Sequence, residues 1–329
     1  MLEINNLKVY YKSDDGLIKA VDDVSFKVND GETLGLVGES GCGKSTLGQA
    51  LMKILPRNAQ IYGEIILNEN EILKMNEKQM RKIRGKDITM IFQDPMTSLN
   101  PIMKVKDLFI EMVQAHFPDI SEEEAIGMGG RVLKDVGIDP SRMSQYTFQF
   151  SGGMRQRVMI ALGLVLKPSF VISDEPTTSL DVIVQAQIIE LMQKLRDEYQ
   201  MSMLLITHDL GVVAQLADRI GVMYAGHLVE ISSKENIYYN PKHPYTKALL
   251  ESIPNTDIKN KNLKYIPGSP PNLINPPKGC RFAPRCEYVM DVCKEQEPKT
   301  YNVEGSNVKC WLYEKSRQLK KVNVGGFDG

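Results

Sequence analysis

The chain has 329 residues, 42% of them hydrophobic and 25% charged, which is enough apolar content to fill the core of one large domain with an appendage. Forty Lys and Arg residues against 41 Asp and Glu residues give a net charge of -1, so no excess of positive charge argues for a nucleic-acid partner. No apolar run of about 18 residues is present, and residues 1–6 lack the pattern of a signal peptide, so we expect a protein that is cytosolic or held at a membrane by partners.

The N-terminal part of the chain predicts two antiparallel strands, at residues 2–11 and 24–28, joined through a turn at the polar run S-D-D-G of residues 13–16. From residue 33 onward, short apolar runs alternate with longer amphipathic stretches, which is typical of a mainly parallel sheet with connecting helices. The strands predicted for this sheet are Thr33–Val37, Thr89–Phe92, Phe170–Ser173 and Met203–Ile206. The sequence therefore predicts an α/β fold with a β layer beside the main sheet.

A phosphate-binding loop follows the first buried strand. The run G-E-S-G-C-G-K-S at residues 38–45 fits G-x-x-x-x-G-K-[ST] and precedes a helix predicted over residues 46–53. Glycines let backbone N–H groups point at phosphates, Lys44 can reach the β and γ oxygens, and Ser45 can supply a hydroxyl to Mg²⁺. The residues expected to touch the nucleotide here are Gly38, Ser40, Gly41, Cys42, Gly43, Lys44, Ser45 and Thr46. The Cys42 thiol is interpreted as inert filler, with an acidic, oxidisable thiol as the alternative.

A helical region and then a pair of acidic residues follow along the chain. Between residues 101 and 166 no convincing strand is visible, which predicts a helical subdomain inserted between two strands of the sheet. The run F-V-I-S-D-E at residues 170–175 then places two acids at the end of a buried strand. Asp174 is the candidate for holding Mg²⁺ and Glu175 for orienting a water molecule.

The composition changes near residue 255. Five prolines crowd residues 267–277, and four of the five cysteines follow within the last fifty residues. We therefore predict an ATPase domain over residues 1–254 and a separate C-terminal extension over residues 255–329. Because disulfides are rare in cytosolic proteins, the clustered cysteines indicate a metal site.

Two further runs carry a family resemblance. F-S-G-G-M-R-Q-R at residues 150–157 closely resembles the LSGGQ-type signature of ABC ATPases, and E-P-T-T-S-L-D at residues 175–181 looks like their Walker B end followed by the D-loop. Gln93 matches the Q-loop and His208 the switch histidine, while Tyr11, with Tyr10 as its rival, stands where the family keeps an aromatic that stacks on adenine. The resemblance implies an ABC-type P-loop ATPase with a β-rich N-terminal layer, an inserted helical subdomain and a C-terminal Cys/Pro-rich extension.

The resemblance also implies a mechanism in which two ATPase domains close head to tail. ATP bound at Lys44 of one domain is completed by Ser151 and Gly153 of the other, so one domain alone should be slow. Glu175 polarises the attacking water, His208 contacts the γ-phosphate, and Gln93 connects the site to the helical subdomain. The implied nucleotide residues outside the phosphate loop are Tyr11, Gln93, Ser151, Gly152, Gly153, Asp174, Glu175, Asp181 and His208, with Ser45, Gln93 and Asp174 around Mg²⁺.

Three C-terminal runs narrow the resemblance to a subfamily. H-P-Y-T-K-A-L-L at residues 243–250, I-P-G-S-P-P at 266–271 and G-C-R-F-A-P-R-C at 279–286 look like ATPase subunits of oligopeptide, dipeptide and nickel importers. The expected function is an ATP-hydrolysing subunit that energises an importer of oligopeptides or dipeptides, peripheral on the cytoplasmic face of the membrane. The implied partners are a second, related ATPase chain, two membrane-spanning permease subunits and an extracellular or periplasmic solute-binding protein.

The four clustered cysteines are Cys280, Cys286, Cys293 and Cys310. Four thiolates are the complement that an iron–sulfur cluster needs, and the spacings of five, six and sixteen intervening residues do not repeat the close pairs of common zinc sites. Zinc is the second choice, and four unligated thiols the third. The subfamily resemblance favours a [4Fe-4S] cluster with a structural role.

The motifs are also compatible with other functions of ABC-type ATPases. A nickel or other-solute importer is the nearest alternative, since the sequence does not reveal the transported ligand. Among non-transport ABC ATPases, repair proteins carry a long coiled coil, translation factors carry two ATPase domains in one chain, and assembly ATPases usually lack this extension. A binding scaffold with a dead site is disfavoured because Lys44, Glu175 and His208 are intact, and the extension argues against an exporter subunit.

Overall fold

The structure of the chain is a computed structural model, and it describes residues 1–178, 180–252 and 265–314. The predicted domain boundary at 254/255, Ser179 of the D-loop run and the last fifteen residues of the predicted extension lie outside the described residues. The division into two domains therefore stays a prediction. None of the helices in the described ranges is long and apolar enough to cross a membrane.

The elements follow in chain order. The strands are β1 (Leu2–Ser13), β2 (Gly16–Val28), β3 (Thr33–Val37), β4 (Ala59–Leu67), β5 (Asn70–Glu71), β6 (Ile88–Ile91), β7 (Phe170–Asp174), β8 (Ser202–Ile206), β9 (Arg219–Tyr224), β10 (His227–Ser233), β11 (Thr300–Val303) and β12 (Ser306–Lys309). The helices are α1 (Lys44–Leu51), α2 (Glu77–Ile83), α3 (Pro95–Ser98), α4 (Val105–Gln114), α5 (Glu122–Asp135), α6 (Gly152–Leu164), α7 (Val182–Tyr199), α8 (Leu210–Leu216), α9 (Lys234–Tyr239), α10 (Pro244–Glu251) and α11 (Asp291–Glu295).

The smaller sheet forms the predicted β layer. Its four strands are antiparallel neighbours in the order β2-β1-β4-β5, and Ser13 pairs with Gly16 across the predicted turn. The second strand begins at Gly16 rather than at Val24. Its first half carries Lys19 and Asp22, so the apolar pattern that revealed its second half is interrupted there.

The larger sheet has eight strands in the order β11-β12-β10-β9-β3-β8-β7-β6. Strands β9, β3, β8, β7 and β6 are parallel, and the four strands predicted from apolar runs are found here with their ends shifted by no more than one residue. Every residue of β3, β6, β7 and β8 is buried, which explains why these strands read as continuous apolar runs. The carboxyl ends of β3, β7 and β8 lie at one edge of the sheet, where three of the predicted motifs follow them.

The C-terminal extension joins this sheet directly. Its hairpin of β11 and β12 pairs with β10, with Val308 opposite Glu230. Phe282 of the extension is buried in the main core beside Tyr224 and Tyr245. Within the described residues the extension is therefore packed onto the ATPase fold.

The region predicted as a helical subdomain, residues 101–166, contains α4, α5 and α6, and the short helix α3 lies just before it. Helix α5 begins at a capping box in which the Ser121 hydroxyl accepts from the Glu124 N–H and the Glu124 carboxylate accepts from the Ser121 N–H. The helix tolerates glycine at position 129 for a packing reason, since a Cβ atom there would lie 2.6 Å from the buried ring of Phe109. The β layer, the mainly parallel sheet and the helical region are thus present as predicted.

Candidate functional site

A cleft of about 610 Å³ opens at the carboxyl edge of the main sheet, beside the β layer. Its volume lies in the range of small-molecule sites. Its lining residues are Tyr11, Ile18, Ala20, Ser40, Gly41, Gly43, Lys44, Ser45, Thr46, Gln93, Glu175, Thr178, His208 and Leu273. Ten of these were predicted from the sequence, and they come from five separate segments of the chain.

The predicted phosphate loop forms one wall of this cleft. Gly43 has a φ of 104°, and a Cβ atom there would lie 2.1 Å from the carbonyl oxygen of Ala20, so glycine is required both by conformation and by space. The following helix begins at Lys44, two residues before the predicted start. The buried Lys44 ammonium donates to the carbonyl oxygens of Gly38 at 2.8 Å and of Glu39 at 3.2 Å, which stabilise it when no phosphate is bound. Its position at the helix N-terminus is the arrangement that binds phosphate groups.

Cys42 lies beneath the loop and does not line the cleft. Its thiol is 3.8 Å from the Lys44 ammonium, yet burial raises the pKa of the thiol above its ordinary value. A buried neutral thiol is a poor nucleophile, so the structure favours the interpretation of Cys42 as inert filler.

The candidate Mg²⁺ residues meet below the loop. The Ser45 hydroxyl donates to Asp174 Oδ1 at 3.0 Å, although Ser45 lies in the first turn of α1 and Asp174 ends β7. Burial raises the pKa of Asp174 to about 6, opposed by the Ser45 hydrogen bond and reinforced by the neighbouring charge of Glu175. A cation beside this carboxylate would favour its ionised form. Hydroxyl and carboxylate oxygens at this place suit Mg²⁺.

Three side chains converge on the carboxylate of Glu175. Gln93 Nε2 and Thr178 Oγ1 each donate to Glu175 Oε2 at 2.9 Å, and His208 Nδ1 lies 3.2 Å from Oε1. Glu175 itself has a φ of 47°, in the left-handed region that non-glycine residues avoid. Such conformations cost roughly 1–3 kcal/mol and persist where surrounding contacts fix them, often at functional sites. Thr178 was not among the predicted site residues, although it belongs to the D-loop run.

The opposite end of the cleft is apolar. Tyr11 lines it together with Ile18, Ala20 and Leu273, and the Tyr11 hydroxyl donates to Thr46 Oγ1 at 3.3 Å. Tyr10 does not line the cleft, because adjacent strand residues point to opposite faces, and its hydroxyl donates to Asp22. Of the two tyrosines weighed from the sequence, Tyr11 therefore lines the cleft and Tyr10 does not. Leu273 was not predicted, since nothing in the sequence placed the proline-rich segment at this cleft.

The signature residues lie elsewhere. Ser151 is the N-cap of α6, with its hydroxyl accepting from the Met154 N–H at 3.4 Å, and Asp181 caps α7 in the same way through the Val184 N–H at 2.9 Å. Gly153 joins these two helix ends, since a Cβ atom there would lie 2.6 Å from Val184. Ser151, Gly152, Gly153 and Asp181 do not line the cleft, and Ser151, Gly152 and Asp181 are exposed.

The four C-terminal cysteines line one small cavity of about 10 Å³ with His243, Phe282, Trp311 and neighbouring residues. Burial raises the pKa of the Cys280 thiol to about 11 and that of Cys310 to about 12, with the nearby cysteines adding to both shifts. Over residues 1–178, 180–252 and 265–314, no three His, Cys, Asp or Glu side chains stand close enough to form a ready-made metal site. The sulfur donors are thus gathered, but not arranged around a metal.

Comparison with known proteins agrees with this geometry. A family model described as ABC transporter matches residues 21–178, and one described as the C-terminal region of oligopeptide/dipeptide transporters matches residues 229–293. The oligopeptide transport ATP-binding protein OppD of Haemophilus influenzae is 44% identical over 95% of this chain and 97% of its own length. The dipeptide transport ATP-binding protein DppD of Bacillus subtilis is 47% identical over 95% of this chain and 94% of its own length. A solved ATP-binding cassette, dimeric and bound to ADP and Pi, superposes with a TM-score of 0.63 at 25% identity, over 71% of this chain and 99% of the cassette.

Proposed function

This chain belongs to the ABC transporter family, in the group of oligopeptide and dipeptide transport ATP-binding proteins, and we propose that its ATP hydrolysis drives import of peptides across a membrane. The chain is an ATPase of the ABC type. One observation carries the proposal: a cleft with the phosphate loop at one end and a polar cluster around Glu175 lies in a chain that is related over 95% of its length to peptide-transport ATPases.

In the proposed reaction, the transfer of a phosphoryl group from ATP to water, each group of cleft residues has a separate role. Lys44 exchanges its carbonyl partners for the β and γ oxygens of ATP, and the N–H groups at the start of α1 face the same oxygens. Ser45, Asp174 and Gln93 would hold Mg²⁺, which when bound supplies positive charge beside the phosphates.

Hydrolysis itself depends on Glu175. Its carboxylate accepts a hydrogen bond from the attacking water and orients it, while His208 contacts the γ-phosphate. Gln93 touches Glu175 and begins the segment that enters the helical subdomain, so it can relay the state of the site to a membrane partner.

We propose that a second ATPase domain completes the site across a head-to-tail interface. Val182 and Ile183, two apolar residues near the signature residues 151–153, are 82% and 72% exposed. They directly follow Asp181 at the start of α7, next to Gly153. Exposed apolar side chains at the start of a helix suit a protein interface. The partner is a related, distinct ATPase chain.

The proposed assembly also contains two membrane-spanning permease subunits and a solute-binding protein outside the cell, with this chain peripheral on the cytoplasmic face. An exposed aromatic pair on the helical subdomain supports the permease contact: Phe148, 58% exposed, stacks on Tyr146 with ring centroids 5.7 Å apart. Nickel is the second candidate solute, because the sequence resemblance includes nickel importers.

The assembly gives a direct test. The purified chain alone should hydrolyse ATP slowly, with turnover per chain rising with protein concentration, because the signature residues of one domain serve the cleft of another. Vesicles containing the permease pair, both ATPase chains and the solute-binding protein should accumulate labelled peptide in an ATP-dependent way. Fast ATP hydrolysis that does not depend on protein concentration would contradict a site shared between two domains. Accumulation of nickel instead of peptide would show that nickel, not peptide, is the transported solute.

We further propose that Cys280, Cys286, Cys293 and Cys310 bind a [4Fe-4S] cluster that orders the extension. The support is the donor set, four thiols lining one cavity in a segment with few apolar residues of its own. The cavity of about 10 Å³ has room for little more than a water molecule, so cluster binding requires the cysteine-bearing segments to move apart. Zinc, which needs less room, remains the second choice.

The metal content can be measured. Anaerobically purified chain should contain about four iron and four sulfide per molecule and show the broad visible absorption of a cluster. Cys286→Ser should lose this content, whereas Cys42→Ser, a substitution of the cysteine outside the set, should keep it. One zinc per chain without iron would replace the cluster by a zinc site, and metal-free protein would leave four reduced thiols.

A further inference from the structure

We propose that the proline-rich strap, residues 265–278, is part of the nucleotide site and that Leu273 forms a wall of the subsite for the adenine base. The proposal rests on ATP binding by the cleft, and it adds a base-contacting residue from outside the sequence motifs of the ATPase domain. Three observations carry it: where the strap crosses the β layer, how the cleft is divided, and how the strap is anchored.

The strap crosses the β layer at the base end of the cleft. The Lys19 N–H of β2 donates to the carbonyl oxygen of Leu273 at 3.0 Å, which fixes Leu273 between Ile18 and Ala20 along that strand. Ile18 is the direct cross-strand partner of Tyr11. Ala20 touches the phosphate loop, since its carbonyl oxygen lies 2.1 Å from the place a Cβ atom would take on Gly43. The strap therefore lies beside both the stacking tyrosine and the loop.

The lining of the cleft separates two kinds of surface. Loop residues 40–46 and the Glu175 cluster offer cations, hydroxyls and N–H groups suited to a triphosphate. The apolar side chains of Ile18, Ala20 and Leu273, with the ring of Tyr11, supply the remaining wall. A purine has two apolar faces and gains from contact on both, so a wall beyond Tyr11 adds affinity for the base without touching the phosphates.

The strap is held rigidly relative to the phosphate loop. Arg285 Nε donates to the carbonyl oxygen of Pro267 at 2.8 Å, at the start of the strap. The same guanidinium forms a two-point ion pair with Glu39 of the loop, at 2.8 and 3.0 Å. The Arg285 side chain is 5% exposed, which protects the pair from solvent screening. One buried side chain thus fixes both the strap and the loop.

A second anchor holds the other side of Leu273. Ile274 packs against the turn between β1 and β2, where its Cγ2 lies 3.0 Å from the place of a Cβ atom on Gly16. Ile274 does not line the cleft. The two neighbouring residues of the strap therefore differ in role, Leu273 toward the nucleotide and Ile274 toward the protein.

These roles can be separated by measuring the affinity of the full chain for ATP and for inorganic tripolyphosphate, both with Mg²⁺. Leu273→Ala should weaken ATP binding by roughly five- to tenfold, because an apolar contact with the base is lost, and leave tripolyphosphate binding unchanged. Leu273→Met should restore ATP affinity to within about twofold, since methionine keeps the apolar wall. In hydrolysis, Leu273→Ala should raise KM for ATP and leave kcat unchanged.

Ile274→Ala is the matched control, because it truncates the aliphatic side chain next to Leu273 in the strap. It should leave the affinities for ATP and for tripolyphosphate unchanged. Equal weakening of ATP and tripolyphosphate by Leu273→Ala would show that Leu273 acts through the loop, and this would overturn the assignment. Unchanged ATP affinity in Leu273→Ala would overturn it as well. Failure of the wild-type chain to bind ATP, by contrast, would overturn the proposed function together with this inference.

Discussion

Glu175→Gln is expected to bind ATP with near wild-type affinity and to lose hydrolysis by roughly 100- to 10,000-fold, the contribution typical of a positioned general base. The amide has the size of the carboxylate and can still accept from Gln93 and Thr178. It lacks the negative charge that orients and polarises the attacking water. The phosphate contacts of Lys44 and the loop are untouched by the change.

The same variant should accumulate the closed state, because ATP that is not hydrolysed continues to hold two domains together. Light scattering with ATP and Mg²⁺ should therefore show a stable dimer of ATPase domains that the wild-type protein forms only transiently. The readouts for chemistry are single-turnover release of phosphate and binding of a fluorescent ATP analogue, which separate the hydrolytic step from affinity.

Glu32→Gln is a suitable control for the loss of a buried carboxylate. Glu32 precedes β3 at the end opposite the phosphate loop and pairs with Arg219 at 2.9 Å, so the substitution should lower stability and leave turnover per folded chain unchanged. Hydrolysis by Glu175→Gln at the wild-type rate would refute the assignment of Glu175 and direct attention to His208, which lies 3.2 Å from the same carboxylate.

Much of the parallel sheet and the phosphate end of the cleft could be predicted because both depend on local sequence. Strands such as Phe170–Asp174 are buried on both faces and so appear as uninterrupted apolar runs. A loop that wraps phosphates needs glycines and a lysine at fixed spacing within eight residues. Because β7 and β8 are parallel neighbours, the residues at their carboxyl ends, Asp174, Glu175 and His208, lie at the same edge of the sheet.

The base end of the cleft could not be predicted because it is made by contacts between distant segments. Arg285 and Glu39 are 246 residues apart in the chain, and the sequence around either residue gives no indication that the two side chains pair. The same holds for Leu273, whose place is fixed by a backbone hydrogen bond to β2. The hairpin β11–β12 has only four residues in each strand, T-Y-N-V and S-N-V-K, and the second of these contains a single apolar residue, so no strand was predicted there.

The signature residues show a different limit. Their pattern predicted a role in ATP binding, and in this chain Ser151 and Asp181 cap helices at the surface, away from the cleft. Such a role depends on a second domain, which a single chain does not contain. The sequence therefore indicates which residues lie at an interface, whereas their position relative to the bound nucleotide depends on how the two domains assemble.

Lys44→Ala is expected to weaken ATP binding by roughly 100-fold, about 2.7 kcal/mol, because the ammonium makes charge-assisted contacts with the phosphates. In the structure this ammonium is buried and held by the carbonyl oxygens of Gly38 and Glu39, so its charge is already directed into the loop. Binding of the base by Tyr11 should survive the change, which leaves a weak residual affinity. Titration of the purified variant with ATP measures the loss directly.

Lys53→Ala provides a matched control, because its ammonium is likewise held by two backbone carbonyl oxygens, those of Leu73 and Met75, and does not line the cleft. It should reduce stability slightly and leave ATP affinity unchanged. If Lys44→Ala bound ATP as tightly as the wild-type chain, the phosphates would have to lie outside residues 38–45, against the geometry of the cleft. If both lysine variants lost affinity equally, the effect would come from the fold, since Lys53 does not line the cleft.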